Sequence, residues 1–359
     1  MPPGCESHLG REFRGQARAP PLPFAAHPER RFPTTGRVSA APPLGLNDRA
    51  WAIADHLAAH RDELRVAVRA LDGGARVIDA GIEVPGGYGA GLALAGACMG
   101  GLGHVDYVPL AIGPDVMPGV RVWTDHPAVS CMASQYAGWA IQVGKYFAMG
   151  SGPLRAHARV ERELFGKLGY SETGRRGVLV LETRTLPTDE VAAWVGQKAG
   201  LPPAALTFIA APTASLAGGV QIAARILETG LHKMDTLGFD VNRIVSGIGS
   251  APLPPVAKND LRAIGRTNDC ILYGGRARYT VQAGDAELAE LVPRIPASAS
   301  KDYGTPFYDT FKRYDGDFYK IDPLLFSPAE VWLTSVESGK THHAGHLNPD
   351  VLHASLLET

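Results

Sequence analysis

The chain has no CxxC pair, and its four cysteines (Cys5, Cys98, Cys131 and Cys270) stand far apart. That excludes a zinc ribbon or a thioredoxin-like dithiol, and fits the reduced, buried thiols of a cytoplasmic enzyme. It has no excess of either charge. Lys and Arg number 35 and Asp and Glu 36 among 359 residues, a net charge of −1. Neither nucleic acid nor an anionic membrane surface is therefore expected as a partner. It also has no apolar run suited to spanning a membrane. Uncharged residues 84–103 contain eight glycines and Pro85, and residues 199–224 are interrupted by Pro202, Pro203 and Pro212. The first 43 residues contain no apolar core of a signal peptide.

Nucleotide and metal motifs are missing too. Gly89-Ala90-Gly91 would need glycine at 94, which is Leu94, and Gly247-Ile248-Gly249 would need it at 252, which is Pro252. The dinucleotide fingerprint is therefore absent. Gly339-Lys340-Thr341 resembles the end of a P-loop, but its first glycine is replaced by Thr334. No nucleophile elbow surrounds Ser151. His342, His343 and His346 form HHxxH. Adjacent histidines on a strand point to opposite faces, so a solvated turn is expected there and no metal site.

What is present is a core-forming chain, 45% hydrophobic. Residues 1–43 hold nine of the 28 prolines, six arginines and no lysine, and read as a flexible extension. The rest suggests two domains, about 44–200 and 201–359, with boundaries free to be discontinuous. Asn47 or Asp48 is the expected cap of an opening helix. A hairpin is expected over 66–71 and 76–79. Strands are expected at 120–124, 178–182, 206–211, 270–273, 277–281 and 331–336, and helices at 92–99, 129–138, 189–199 and 216–237. Strands and helices mix without a strict βαβ period, so the fold class is α/β with α+β character.

The most informative segment is APTASLAGGVQIAARILETG, residues 211–230. A strand ends at Pro212, Thr213 and Ser215 offer hydroxyl caps, and the glycines allow close approach of a ligand or another backbone. On the following helix Gln221, Arg225, Glu228 and His232 form a polar stripe, with Arg225 and Glu228 neighbours on one face. Spacing alone reads this pair as a surface ion pair; the alternative is an inward-facing acid–base pair beside a ligand.

The segment resembles the signature of the methenyltetrahydromethanopterin cyclohydrolase family. The stretches 77–81, 98–102, 124–130, 137–139, 146–153, 265–275, 302–304 and 317–323 are similar to the family as well, in order, from about residue 45 onward. The resemblance implies hydrolysis of the methenyl bridge of a tetrahydropterin one-carbon carrier, without metal or redox cofactor. It implies a homotrimer whose subunits hold a large pocket between two domains. It makes Glu228 the catalytic acid/base and Arg225 its partner, a cation expected to keep the glutamate ionised against burial. Asp125 and Asp269 are candidates for the pterin's amino-amide edge, with turn capping as the alternative. Ser151, Thr213 and Ser215 are candidates for the anionic tail, and His126, Thr267 and Asn268 are further candidates for the substrate wall. Tyr88 and Phe147 are expected in core packing rather than stacked on rings. A non-catalytic carrier of the pterin, or a cyclohydrolase acting on a folate, are the competing functions.

Overall fold

All six residues of the strand Leu206–Ala211 are buried, as a parallel strand covered on both faces requires. Phe208 and Ala210 cluster with Val191 and Val195 of the helix Asp189–Ala199. Ile209 and Ala211 cluster with Ala50 and Ala54 of the helix Leu46–Ala59 and Leu94 of the helix Tyr88–Cys98. The computed structural model describes residues 45–317 and 320–357, so the expected 1–43 extension lies outside the described residues.

In chain order the strands are β1 (Ala67–Ala70), β2 (Arg76–Asp79), β3 (Gly103–Ile112), β4 (Asp115–Thr124), β5 (Trp139–Val143), β6 (Tyr146–Ser151), β7 (Gly177–Glu182), β8 (Leu206–Ala211), β9 (Ile244–Pro252), β10 (Arg276–Val281), β11 (Glu330–Ser335) and β12 (Thr341–Gly345). They form two six-stranded mixed sheets, ordered β1-β2-β8-β7-β6-β5 and β12-β11-β10-β9-β4-β3. The mixed α/β class expected from the sequence is the class found. Each sheet takes strands from both sides of residue 200.

In the first sheet β2, β8 and β7 run parallel, so the loops after Asp79, Glu182 and Ala211 leave it at the same end. From the last of these ends, Ser215 caps the helix Leu216–Ala223 by accepting from Gly218 N at 3.0 Å. This helix lies close against Tyr88–Cys98: a Cβ added to Gly91 would sit 2.7 Å from Val220 Cβ. A Cβ on Gly218 would sit 2.1 Å from the Pro212 carbonyl oxygen. The close approach these glycines permit is thus to other parts of the fold.

Several expected elements differ. The long helix 216–237 breaks at Ala224 and Arg225 into Leu216–Ala223 and Ile226–Thr236. The helix 129–138 is a π-helix, Ala128–Gln135, closed by Tyr136 N on Cys131 O at 2.8 Å. Residues 270–273 are not a strand: they end the helix Asp260–Gly274, capped by Asn259. Cys-Ile-Leu-Tyr is a short apolar run, and such runs do not distinguish a strand from the buried end of a helix. Gly45, not Asn47 or Asp48, precedes the first helix. Asn47 is buried in its first turn, accepting from Val178 N and donating to Glu172 and Pro153 O. Tyr88 and Phe147 are 52% and 53% exposed and belong to no core cluster. Both are aromatic, which invited the core reading, but Tyr88 opens its helix and packs edge-on against Tyr107, and Phe147 lies on the exposed face of β6.

Candidate active site

The break in the long helix sets the geometry. It leaves the Ala224 carbonyl facing the last residue of the π-helix, and Gln135 Nε2 donates to it at 3.0 Å. The Gln135 carbonyl in turn accepts from Arg225 Nη1 at 2.5 Å. Arg225 Nη2 donates to Ser151 Oγ, at the end of β6, and to Gln221 Oε1, at 3.2 and 3.1 Å. The buried Cys98 thiol lies 3.3 Å from Ser151 Oγ. A fixed guanidinium thus holds the bent helix, the π-helix and the first sheet together.

Glu228 stands beside that guanidinium but is not hydrogen-bonded to it, with Oε2 3.8 Å from Arg225 Nη1. The two side chains are only 7% and 9% exposed, so the surface-pair reading gives way to the inward-facing one. Spacing places two residues on one helix face; it does not say whether that face meets solvent. Among the described residues Glu228 makes no side-chain hydrogen bond. Burial pushes its carboxyl above the ordinary glutamate value; Arg225, then His232 and Arg155, pull the other way without cancelling the rise. Arg225 thus opposes burial, as expected, and the net shift is upward. Such a carboxyl exchanges a proton more readily near neutrality, as a general acid–base group must.

A second buried cation fixes the π-helix. Arg155 Nη1 donates to the carbonyls of Met132 and Ser134 at 3.2 and 3.1 Å, and its Nε to Glu161 at 2.9 Å. Its guanidinium lies 5.1 Å from the centre of the Tyr136 ring, and that ring stacks on His232. Gln135, Arg155 and Glu161 were not found from sequence. No local spacing could reveal them: Gln135 meets Arg225 across 90 residues.

Of the residues expected from sequence, Ser151 joins Arg225 and Glu228. Thr213, Ser215 and Thr267 line one small cleft with Gly219, Pro254 and Ala263. The loop's donors there meet carboxylates: Thr213 Oγ1 donates to Glu182, and Ala214 N to Asp260 at 2.9 Å. Thr267 and Asn268 donate back to their own helix, to Ala263 O and Ile264 O at 2.9 and 2.8 Å. Asp269 is fully buried, accepting from Phe307 N at 2.8 Å and Ser355 Oγ at 2.5 Å. Asp125 and His126 are exposed, and Asp125 lines a separate depression with Trp123, Ser246, Arg278 and Thr334. His342 and His343, on β12, pair separately with Asp285 and Glu330 at 3.0 and 2.9 Å. Among the described residues no three His, Cys, Asp or Glu side chains group to hold a metal ion, and no helix is long and apolar enough to cross a membrane.

A desolvated carboxyl thus stands beside a guanidinium that is itself bonded elsewhere, on a two-sheet α/β scaffold. The chain belongs to the cyclohydrolase family designated MCH, whose profile it matches over residues 45–356. It is 48% identical over 310 residues to a protein of Methylobacillus flagellatus named methenyltetrahydromethanopterin cyclohydrolase, covering 86% of this chain and 94% of that one. Proteins of the same name from Methylobacterium organophilum and Methanococcoides burtonii are 45% and 40% identical, over 86% of this chain and 97% of each.

Proposed function

We propose that this chain hydrolyses 5,10-methenyltetrahydromethanopterin, reversibly, to the 5-formyl compound, with Glu228 as general acid/base and Arg225 as its partner. The observation that carries the reading is the buried Arg225–Glu228 pair, within a chain that matches the cyclohydrolase profile over nearly its whole described length.

The substrate's bridging carbon is an amidinium cation between two nitrogens. An ionised Glu228 stabilises that cation and takes a proton from the attacking water. It then returns the proton to the departing nitrogen as the C–N bond breaks. Positioned acid–base catalysis of this kind contributes about 10²–10⁴ in rate. Arg225, bonded to Gln135, Ser151 and Gln221, keeps the carboxyl in register without quenching it. Ser151 is part of that support. Thr213, Ser215 and Thr267 form a wall of the substrate cleft; Asp125, at a separate depression, and the exposed His126 are assigned to the substrate by the resemblance alone. The buried bonds of Asp269 and the helix bonds of Asn268 favour support of that wall over direct contact.

The same reading carries a homotrimer in the cytoplasm, with the pterin as small-molecule partner, and the chain's own side chains as the whole catalytic apparatus. The test is loss of methenyl absorbance with purified protein, in the presence and absence of a chelator. Chelator-resistant decay supports the reading; binding without decay turns it into a pterin carrier. A higher kcat/KM on the folate analogue moves the substrate class.

A further inference from the structure

The reaction's charge balance leaves a proton to be removed. A methenyl cation and one water become a neutral formyl amide, a neutral amine N–H and one free proton. Water's first proton passes through Glu228 to the departing nitrogen. The second leaves the new C–O–H group as the carbonyl forms, and Glu228 is the base at hand. Each turnover therefore ends with a protonated Glu228, a residue only 5% exposed. The proton must reach water before the next cycle.

The groups around Glu228 differ in their ability to carry it. Arg225 and Arg155 are permanently charged guanidinium groups. Cys131, from the π-helix, and Tyr279, from β10, are buried, and burial pushes both far above neutrality. Tyr136 is raised as well, by burial and then by Glu228 itself. His232 remains. It lies one helical turn after Glu228 on the same stripe of Ile226–Thr236, so the two side chains are neighbours. It is partly exposed where Glu228 is not. Its ring stacks on Tyr136 at 5.1 Å and 17°, which fixes its plane. Among the described residues no protein hydrogen bond ties its ring nitrogens.

We propose that His232 is the proton relay between Glu228 and bulk water, taking the released proton in hydrolysis and delivering it in the reverse reaction. An imidazole accepts at one nitrogen and donates at the other, so one ring can pass a proton from Glu228 to water. The transfer runs directly or through one water, as is usual for positioned proton transfer. The proposal rests on the cyclohydrolase reading and adds a role for the last member of the polar stripe.

The experiment is His232→Gln in the full chain, assayed at low and rising imidazole concentration at fixed pH and ionic strength. The expected result is a loss of about tenfold in kcat at low buffer, restored by imidazole, with KM unchanged, because a mobile base replaces the missing relay. Wild type should be indifferent to imidazole. Full activity of His232→Gln at low buffer overturns the relay, and so does a loss that imidazole does not restore, which marks a packing role on Tyr136. His232→Asn puts the same question should the glutamine variant not fold. Failure of the underlying reading looks different: wild type itself then leaves the methenyl compound intact.

Discussion

Glu228 and Asp269 are both buried carboxyls whose protonated form is favoured by desolvation, yet their surroundings are opposite. Asp269 meets two donors, Phe307 N and Ser355 Oγ, which fasten the start of the helix Phe307–Arg313 and the C-terminal helix Pro349–Leu357. Glu228 meets none among the described residues; Arg225, His232 and Arg155 lie in its field, with the Arg225 guanidinium at 3.8 Å. Burial alone therefore does not mark a reactive acid. What distinguishes the two is whether the oxygen lone pairs are already occupied by the fold. An occupied carboxylate is a fastener, and one with free lone pairs beside a cation can take a proton from a substrate.

The sharpest way to break this contrast is Glu228→Gln. It preserves shape and removes the base, so kcat should fall by about 10³-fold or more while the melting temperature and pterin binding hold. Near-wild-type turnover would end the assignment. In wild type the acid limb of kcat should lie above the ordinary glutamate range, because hydrolysis needs the ionised form and burial has raised the group.

The second test acts on the other member. Burial pushes Asp269 from 3.8 up to about 7, against the two hydrogen bonds that favour ionisation. The folded chain thus holds that proton more tightly than the unfolded one. Its stabilising contribution is whole below pH 3.8 and is lost as the pH rises to about 7. Asp269→Asn mimics the protonated form and should remove this slope. Each tenfold difference in proton affinity between the folded and unfolded chain is worth roughly 1.4 kcal/mol, so relative to the variant wild type should lose a few kcal/mol across that window. Parallel stability curves in urea over the same pH range would refute the idea.

How far the two acids could be told apart from sequence follows from what spacing encodes. The strand at Gly177–Glu182, the helix Asp189–Ala199 and the strand Leu206–Ala211 were legible because short apolar runs mark the two strands and a helical period the segment between them. β9 was not. Its Gly247 and Gly249 lie against Leu227, where added Cβ atoms would come within 3.4 and 3.1 Å, so the bulk that usually marks a strand is absent. In the site, the three-residue step from Arg225 to Glu228 was legible and so was the resemblance. Burial of the pair was not, because it depends on Gln135 and Ser151, which lie 90 and 74 residues from Arg225.

Those distant partners give the two smaller tests. Gln135→Ala leaves the Ala224 carbonyl buried without its donor and loosens the helix break. A cost of about 1–3 kcal/mol in stability is expected. The kcat should fall by about tenfold, since an error near 1 Å in a catalytic group is costly. Unchanged kcat would mean that the break does not set the position of Glu228.

Ser151→Ala should do least. It removes one neutral acceptor from Arg225 Nη2, which keeps Gln221, while Nη1 keeps the Gln135 carbonyl. Loss of a single such bond is worth about 1 kcal/mol, or roughly a fivefold change in kcat at most. A much larger fall, with KM rising in step, would place the Ser151 hydroxyl on the substrate itself. A small fall in kcat alone keeps it behind Arg225, and keeps the difference between the two acids a matter of how each one's neighbours are held.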